Sequence, residues 1–190
     1  MLVFALNGPP RSGKDTAGKL LSQMLGCKTL KFAAPLKLMA HAMMAVLRGD
    51  TNVAGVDAYE DCKDEPHADF LGKTPREVYI AVSEQLCKPL WGEDFFGRLM
   101  RDRISKLVDA GERAVVITDA GFKEEIEFIA NCYGTEVLQV FRPGSGFEGD
   151  SRGWVECENA GVRTVTNYGS IGRLRVEVAG VLEECGVNEW

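Results

Sequence analysis

The stretch NGPPRSGKDT, Asn7 to Thr16, brackets four residues between Gly8 and Gly13, adds Lys14 at once and reaches a hydroxyl at Thr16. A loop that cradles phosphate has almost this pattern, G-x-x-x-x-G-K-[ST]. Asp15 occupies the usual Ser/Thr place, so the hydroxyl arrives one residue late. What flanks the stretch decides its reading. LVFALN (2–7) is a short apolar run ending in a glycine turn, as expected of a strand buried on both faces. DTAGKLLSQML (15–25) carries Ala17, Leu20, Leu21, Met24 and Leu25 at helical spacing before Gly26. Strand, loop and helix in that order is the context the motif requires. Loop N–H groups and a helix N-terminus can together surround an anion. Gly8, Arg11, Ser12, Gly13, Lys14, Asp15 and Thr16 are therefore expected to bind ATP. Lys14 would reach the β- and γ-phosphates, and Thr16 would supply the hydroxyl for Mg²⁺.

Working outward, strands and helices alternate. KTLKF (28–32) reads as a strand and APLKLMAHAMMAVLR (34–48) as a long apolar helix stopped by Gly49. Periodicity then disappears over 49–73, which holds seven acidic residues and two lysines and reads as an exposed, mobile excursion. TPREVYIAVSEQLCK (74–88) resumes as a helix with Thr74 and Glu77 as a capping box, and Pro89 is expected to stop it. GEDFFGRLMRDRISKLVDAG (92–111) makes another helix, AVVITDAG (114–121) a strand, KEEIEFIANCYG (123–134) a helix and TEVLQVFRP (135–143) a strand. The glycine-rich GSGFEGDSRG (144–153) is a loop; VRTVTN (162–167) and SIGRLRVEVAGVLEECG (170–186) close the chain as strand and helix. This alternation gives an α/β fold with a parallel sheet flanked by helices. Without a repeat or linker, residues 1–190 read as one domain, with an acceptor-side excursion at 49–73 and a candidate lid at 142–158.

Composition narrows the function classes. The chain has 190 residues, 45% hydrophobic and 26% charged, with a net charge of −6. An acidic balance speaks against a dedicated nucleic-acid binder, which usually carries a basic face. Six scattered cysteines without a CxxC pair argue against structural zinc or a disulfide framework and for reduced thiols. The opening MLVFALNG has six apolar residues and no basic n-region, and no run is long enough to span a membrane. A cytoplasmic location is expected, with no membrane partner.

Segments beyond the loop carry a resemblance. KFAAPLK (31–37), TPREVYIAVSEQLCKPLWGEDFFGRL (74–99), VVITDAGFKEEIEFI (115–129) and VTNYGSIGRL (165–174) resemble the phage deoxynucleoside monophosphate kinase group. The G-K-x-T form of the loop is likewise common in nucleoside monophosphate kinases. The resemblance implies a P-loop kinase with a five-stranded parallel sheet and mobile lid segments, in the host cytoplasm for a phage-encoded chain. It also implies an arginine two residues after the aspartate of the third strand. Here that pattern reads Asp119, Ala120, Gly121, Phe122, so Gly121 replaces the arginine and a shifted specificity is expected.

Phosphoryl transfer needs positioning and charge neutralisation, which directs attention to carboxylates and arginines at the sheet edge. Asp119, where an apolar strand emerges, reads either as a Mg²⁺ contact like a Walker B aspartate or as the N-cap of the next helix. Arg11 could touch nucleotide or acceptor. Arg76 opens a helix beside the excursion, and Arg98 is chosen from Arg98, Arg101 and Arg103 as an acceptor contact. Arg142 and Arg152 flank the glycine-rich loop as lid arginines able to reach the transferring group. Met39, Met43, Met44 and His41 read as core, and Trp91 with Phe95 and Phe96 as a possible base stack. Asp15, beside the phosphate site, could take a proton from an acceptor hydroxyl.

The leading expectation is ATP-dependent conversion of deoxynucleoside monophosphates to diphosphates. A kinase acting on a hydroxyl, such as a hydroxymethylpyrimidine in phage DNA, is the alternative, and a nucleotide-binding regulator the third reading. Assembly as a homodimer stays open.

Overall fold

The computed structural model describes residues 1–149 and 152–187. Residues divide into two compact units, Met1–Lys31 with Phe96–Trp190, and Phe32–Phe95.

The first unit holds a five-stranded sheet in the order β2-β3-β1-β4-β5, every pairing parallel. Its strands are β1 (Leu2–Asn7), β2 (Lys28–Leu30), β3 (Ala114–Ile117), β4 (Gly134–Phe141) and β5 (Gly161–Thr166). Helix α1 (Lys14–Leu25) follows β1, α6 (Lys123–Ala130) follows β3 and α7 (Ile171–Glu184) follows β5. Between β2 and β3 the chain makes the second unit and then α5 (Phe95–Asp109). Period two sorts the central strand. Phe4 and Leu6 join Val116, Leu138, Val140 and Val165 in one apolar layer with Ala17, Leu20 and Leu21 of α1 and Leu174, Val178, Val181 and Leu182 of α7. Val3 and Ala5 point the other way and are equally buried, as are Met100 and Ile104 of α5 and Ile126 and Ile129 of α6. Burial on both faces is why the strands read as continuous apolar runs.

Register fixes the working edge. Ala5 pairs with Ile117 and Asn7 with Gln139, so the loops after β1, β3 and β4 leave the sheet side by side at its carboxyl end. Open α/β sheets bind ligands there.

The second unit contains α2 (Ala33–Leu47), a 3₁₀ turn (Ala68–Phe70), α3 (Pro75–Ala81) and α4 (Lys88–Trp91), with the π-helical turn Val82–Cys87 between the last two. The capping box forms: the Thr74 hydroxyl accepts from the Glu77 N–H at 3.0 Å, and the Glu77 carboxylate accepts from the Thr74 N–H at 2.8 Å. Pro89 does not stop this helical run. It stands in the first turn of α4, where a missing N–H is tolerated, and Gly92 ends the run instead.

Candidate active site

The loop from Gly8 to Gly13 is fixed by its backbone before any ligand is considered. Gly13 has φ 99° and Gly8 φ 154°. A Cβ on Gly8 would lie 2.6 Å from the Val140 carbonyl oxygen, and one on Gly13 would overlap the Asn167 amide. Only glycine fits either place. Arg11 is left-handed at φ 62°, a conformation that costs a non-glycine residue about 1–2 kcal/mol. Its surroundings hold it there: Nη1 of Arg142 donates to the Arg11 carbonyl at 3.3 Å, and Nδ2 of Asn167 donates to the Ser12 carbonyl at 2.8 Å. Lys14 folds its amine back over the loop and donates to the carbonyls of Gly8 at 2.6 Å and Pro9 at 2.8 Å. The Ser12 side chain is fully buried, and its Oγ has no hydrogen-bond partner. Asp15 is exposed and Thr16 half-buried, both in the first turn of α1. First-turn N–H groups lack intrahelical acceptors, so the arrangement combines donors, a cation and an unsatisfied hydroxyl.

At the end of β3, Asp119 is half-buried. It is not a helix cap: α6 begins at Lys123, its N-cap is Phe122, and no side chain caps it. The N-cap reading of Asp119 is therefore set aside. Arg103 of α5 donates from Nη1 to the Lys31 carbonyl at 2.8 Å. Burial lowers its pKa, and the nearby Asp119 charge opposes that shift. Arg101 instead pairs with Asp102 at 2.8 Å and lies over the Phe128 ring at 5.5 Å, a surface role. Arg98 is half-buried one turn earlier on the same helix.

Asn7 ties these loops together. Fully buried at the end of β1, its Nδ2 donates to the carbonyls of Ala120 at 3.0 Å and Gly153 at 3.1 Å, and its Oδ1 accepts from the Val155 N–H at 3.1 Å. Gln139 adds a bond from Nε2 to the Val155 carbonyl at 3.1 Å. The candidate lid, 142–158, thus has its later part docked on the sheet edge. Asp150 and Ser151 of that lid lie outside the described residues. Arg142 is exposed, and Arg152 is half-buried against Gly121. On the opposite flank of the loop, exposed Phe141 and Tyr168 meet edge to face at 6.4 Å, with the Arg173 guanidinium 5.9 Å from the Tyr168 ring.

In the second unit, Arg76 is exposed and its Nε is bonded to Asp64, with a further Nη2 contact at 3.4 Å. That guanidinium holds the Asp64 carboxyl below its ordinary range. The excursion expected to be mobile has a core of its own. Phe70 is buried among edge-on contacts with His41, Tyr59, His67 and Tyr79. His41 Nδ1 is 3.1 Å from the Ala54 carbonyl and Nε2 is 2.7 Å from the Tyr79 hydroxyl. A carbonyl only accepts, so Nδ1 carries the hydrogen and Nε2 accepts from the tyrosine. Burial lowers the His41 pKa and pushes Tyr79 up to about 12. Met44 is buried, Met39 half-buried and Met43 exposed, so the core reading holds for His41 and Met44 and fails for Met43. Trp91 stacks on Phe95, centroids 4.8 Å apart, and stays exposed.

The residue types at the first unit's edge fit MgATP. The unsatisfied Ser12 hydroxyl and the Lys14 amine match anionic oxygens. Mg²⁺ on a nucleotide takes most of its ligands from phosphates and water and one or two oxygens from protein. Thr16 and Asp119 are of that type. Among the described residues no group of three or more His, Cys, Asp or Glu side chains could hold a metal ion alone. No helix is long and apolar enough to cross a membrane among the same residues.

Sequence reasoning passed over Asn7, Asn167 and Arg103. Asn7 had a signal, since it is the one polar residue closing the apolar run LVFALN, whereas Asn167 ends the mixed segment VRTVTN without one. Nothing in the sequence distinguished Arg103 from its neighbours.

No protein-family model matches the chain. A curated relative from Acanthamoeba polyphaga mimivirus, named "Putative deoxynucleotide monophosphate kinase", is 29% identical over 152 residues, 76% of each chain. Among solved structures, a "putative kinase" from Chloroflexus aurantiacus superposes with a TM-score of 0.54 at 12% identity, covering 99% of this chain and 97% of its own. A sugar kinase from Janibacter sp. HTCC2649 gives 0.53 at 10% identity, covering 98% and 94%. The chain shares its fold with these two kinases.

Proposed function

We propose that this P-loop kinase transfers the γ-phosphoryl group of ATP to a deoxynucleoside monophosphate. One observation carries the donor half of that reading. A strand–loop–helix turn brings together, within residues 8–16, a lysine amine folded over the loop, a buried hydroxyl without a partner and the first turn of α1. The acceptor half rests on the mimivirus relative's name.

In the reaction, an oxygen of the acceptor's phosphate attacks the γ-phosphorus, and the bond from that phosphorus to the β–γ bridging oxygen breaks. The products are the deoxynucleoside diphosphate and ADP. Lys14 exchanges its bonds to the Gly8 and Pro9 carbonyls for the β- and γ-phosphates. Ser12 and the first-turn N–H groups hold the same oxygens, while Arg11 and Arg142 stand beside them. Thr16 and Asp119 would hold Mg²⁺, which would supply neutralisation of the phosphate charge. Arg98 would serve as an acceptor contact; Arg76, in the second unit, is engaged by the Asp64 carboxylate, which a phosphate would have to displace. A phosphate oxygen is already ionised at neutral pH, so this acceptor needs no base, and Asp15 acts near the donor rather than as a proton acceptor.

The test is ADP release with MgATP across the deoxynucleoside monophosphates, deoxynucleosides and hydroxymethyl-modified duplex DNA. Stimulation by at least one monophosphate, abolished in Lys14→Ala, is the expected result. ADP formed only with nucleosides or modified DNA would refute the monophosphate reading and establish a hydroxyl acceptor. Undiminished turnover by Lys14→Ala would remove the loop from the chemistry.

A further inference from the structure

Gly121 lies two residues past Asp119 and directly after Ala120, whose carbonyl accepts from the Asn7 amide. It is buried, and it is not among the glycines with positive φ. Its backbone would therefore accept a side chain. Space would not. A Cβ at this position would lie 2.5 Å from Cδ and 3.0 Å from Cγ of Arg152. The stem of Arg152 thus crosses the end of β3 through the volume that any other residue at 121 would fill.

The chain that follows Arg152 is fixed by the other half of the same edge. Asn7 holds Gly153 by its carbonyl and Val155 by its N–H, and Val155 is buried. Arg152 is therefore held on two sides, by Gly121 under its stem and by the Asn7 clamp just beyond it. Its Nε is bonded to the Cδ that rests on Gly121, so the cation is delivered at the carboxyl edge of β3. This is the opposite flank of the phosphate loop from Arg142, Asn167 and the Phe141–Tyr168 pair, since the sheet order places β3 and β4 on either side of β1. A phosphorylated acceptor brings a second anion against the γ-phosphate, and a planar guanidinium fork is suited to hold it. A neutral hydroxyl acceptor would have no need of that charge.

We propose that Arg152 is a docked contact for the acceptor's phosphate, and that Gly121 is the positioning residue that admits it to the site. The inference deepens the monophosphate kinase reading and rests on it.

A double-mutant cycle tests the pair. With Arg152 cut back to alanine, the nearest atom left to a new methyl at 121 is the residual Cβ at 3.8 Å, an ordinary contact. Gly121→Ala should therefore matter only while the arginine stem is present. Steady-state kinetics would use the deoxynucleoside monophosphate that wild type turns over fastest. Gly121→Ala and Arg152→Ala are each expected to raise its KM roughly 10- to 100-fold, the scale of one charged hydrogen-bonded contact, with the KM for ATP within about twofold of wild type. The double variant should be no worse than Arg152→Ala. Unchanged acceptor KM in Gly121→Ala, an equal penalty in both backgrounds, or a shift that falls on ATP would each overturn the proposal. Circular dichroism checks folding. Should Gly121→Ala fail to fold, Arg152→Lys leaves position 121 intact and must still raise the acceptor KM alone; a silent Arg152→Lys would overturn it. Wild type inactive on every monophosphate would instead refute the monophosphate reading itself and take this inference with it.

Discussion

Replacing Asn7 by alanine removes three hydrogen bonds that join β1 to chain 113 and up to 148 residues away. Asn7 is fully buried, and Ala120 and Val155 are each 2% exposed. The Ala120 carbonyl and the Val155 N–H would therefore lose their partner where water reaches poorly. Gly153 is exposed, so its carbonyl can turn to solvent. A buried group left unpaired costs about 1–3 kcal/mol, which puts two of them near 4 kcal/mol. One water entering the vacated space would offset part of that, leaving about 3 kcal/mol. Urea denaturation read by tryptophan fluorescence measures the loss, and amide exchange at Val155 reports the local opening directly.

The isosteric Asn7→Asp change sharpens the test. The introduced carboxylate could still accept from the Val155 N–H, but it would face the carbonyls of Ala120 and Gly153 with no hydrogen to offer. At pH 7 it should be worse than alanine. In the folded state the introduced carboxyl would titrate above its unfolded value, so native protein would bind the proton more tightly. Stability should then rise as pH falls toward 4, as linkage requires. An Asn7→Ala variant within about 0.5 kcal/mol of wild type, the range of an ordinary surface change, would refute the clamp. So would an Asn7→Asp variant whose deficit did not shrink on acidification.

Three further outcomes are expected. Thr16→Ala and Asp119→Ala should each raise the Mg²⁺ concentration needed for half-maximal activity; an unchanged midpoint for Asp119→Ala would leave that carboxylate without a metal role. Arg76→Lys should raise the acceptor KM well above any change in that for ATP, because lysine lacks the planar fork that now engages Asp64; equal changes for both substrates would refute an acceptor role. His41 has a folded pKa below its unfolded 6.5, so the stability it lends is full above pH 6.5 and is lost as pH falls through the folded value. His41→Gln should flatten the fall in urea midpoint between pH 7 and 5, and an unaltered slope would show that other groups cause it.

The glycine loop between β1 and α1 was legible because its sequence signal is local. A strand, two glycines, a lysine and a helix lie within 24 residues, from Leu2 to Leu25, although Val140, Arg142 and Asn167, which pack against the loop, come from far along the chain. The alternation of strands and helices was legible for the same reason, since burial on both faces leaves continuous apolar runs. The second unit was harder to read. Its 49–73 segment has the acidic composition of a solvated loop and is largely exposed, yet buried Phe70, His41 between Ala54 and Tyr79, and Arg48 on the Asp69 carbonyl tie it to the helices around it. Composition averages over those few contacts and so misses them. Pro89 misled for a related reason: the sequence shows a helix breaker, whereas the preceding π-helical turn makes its position the start of a new turn. Gly121 is the sharpest case. Within the third-strand pattern it reads as the loss of an arginine, and no local signal contradicts that. Its meaning depends on Arg152, 31 positions later, whose stem occupies the space the glycine leaves. An absence in one segment and a side chain in another form one feature, and only the fold brings the two halves together.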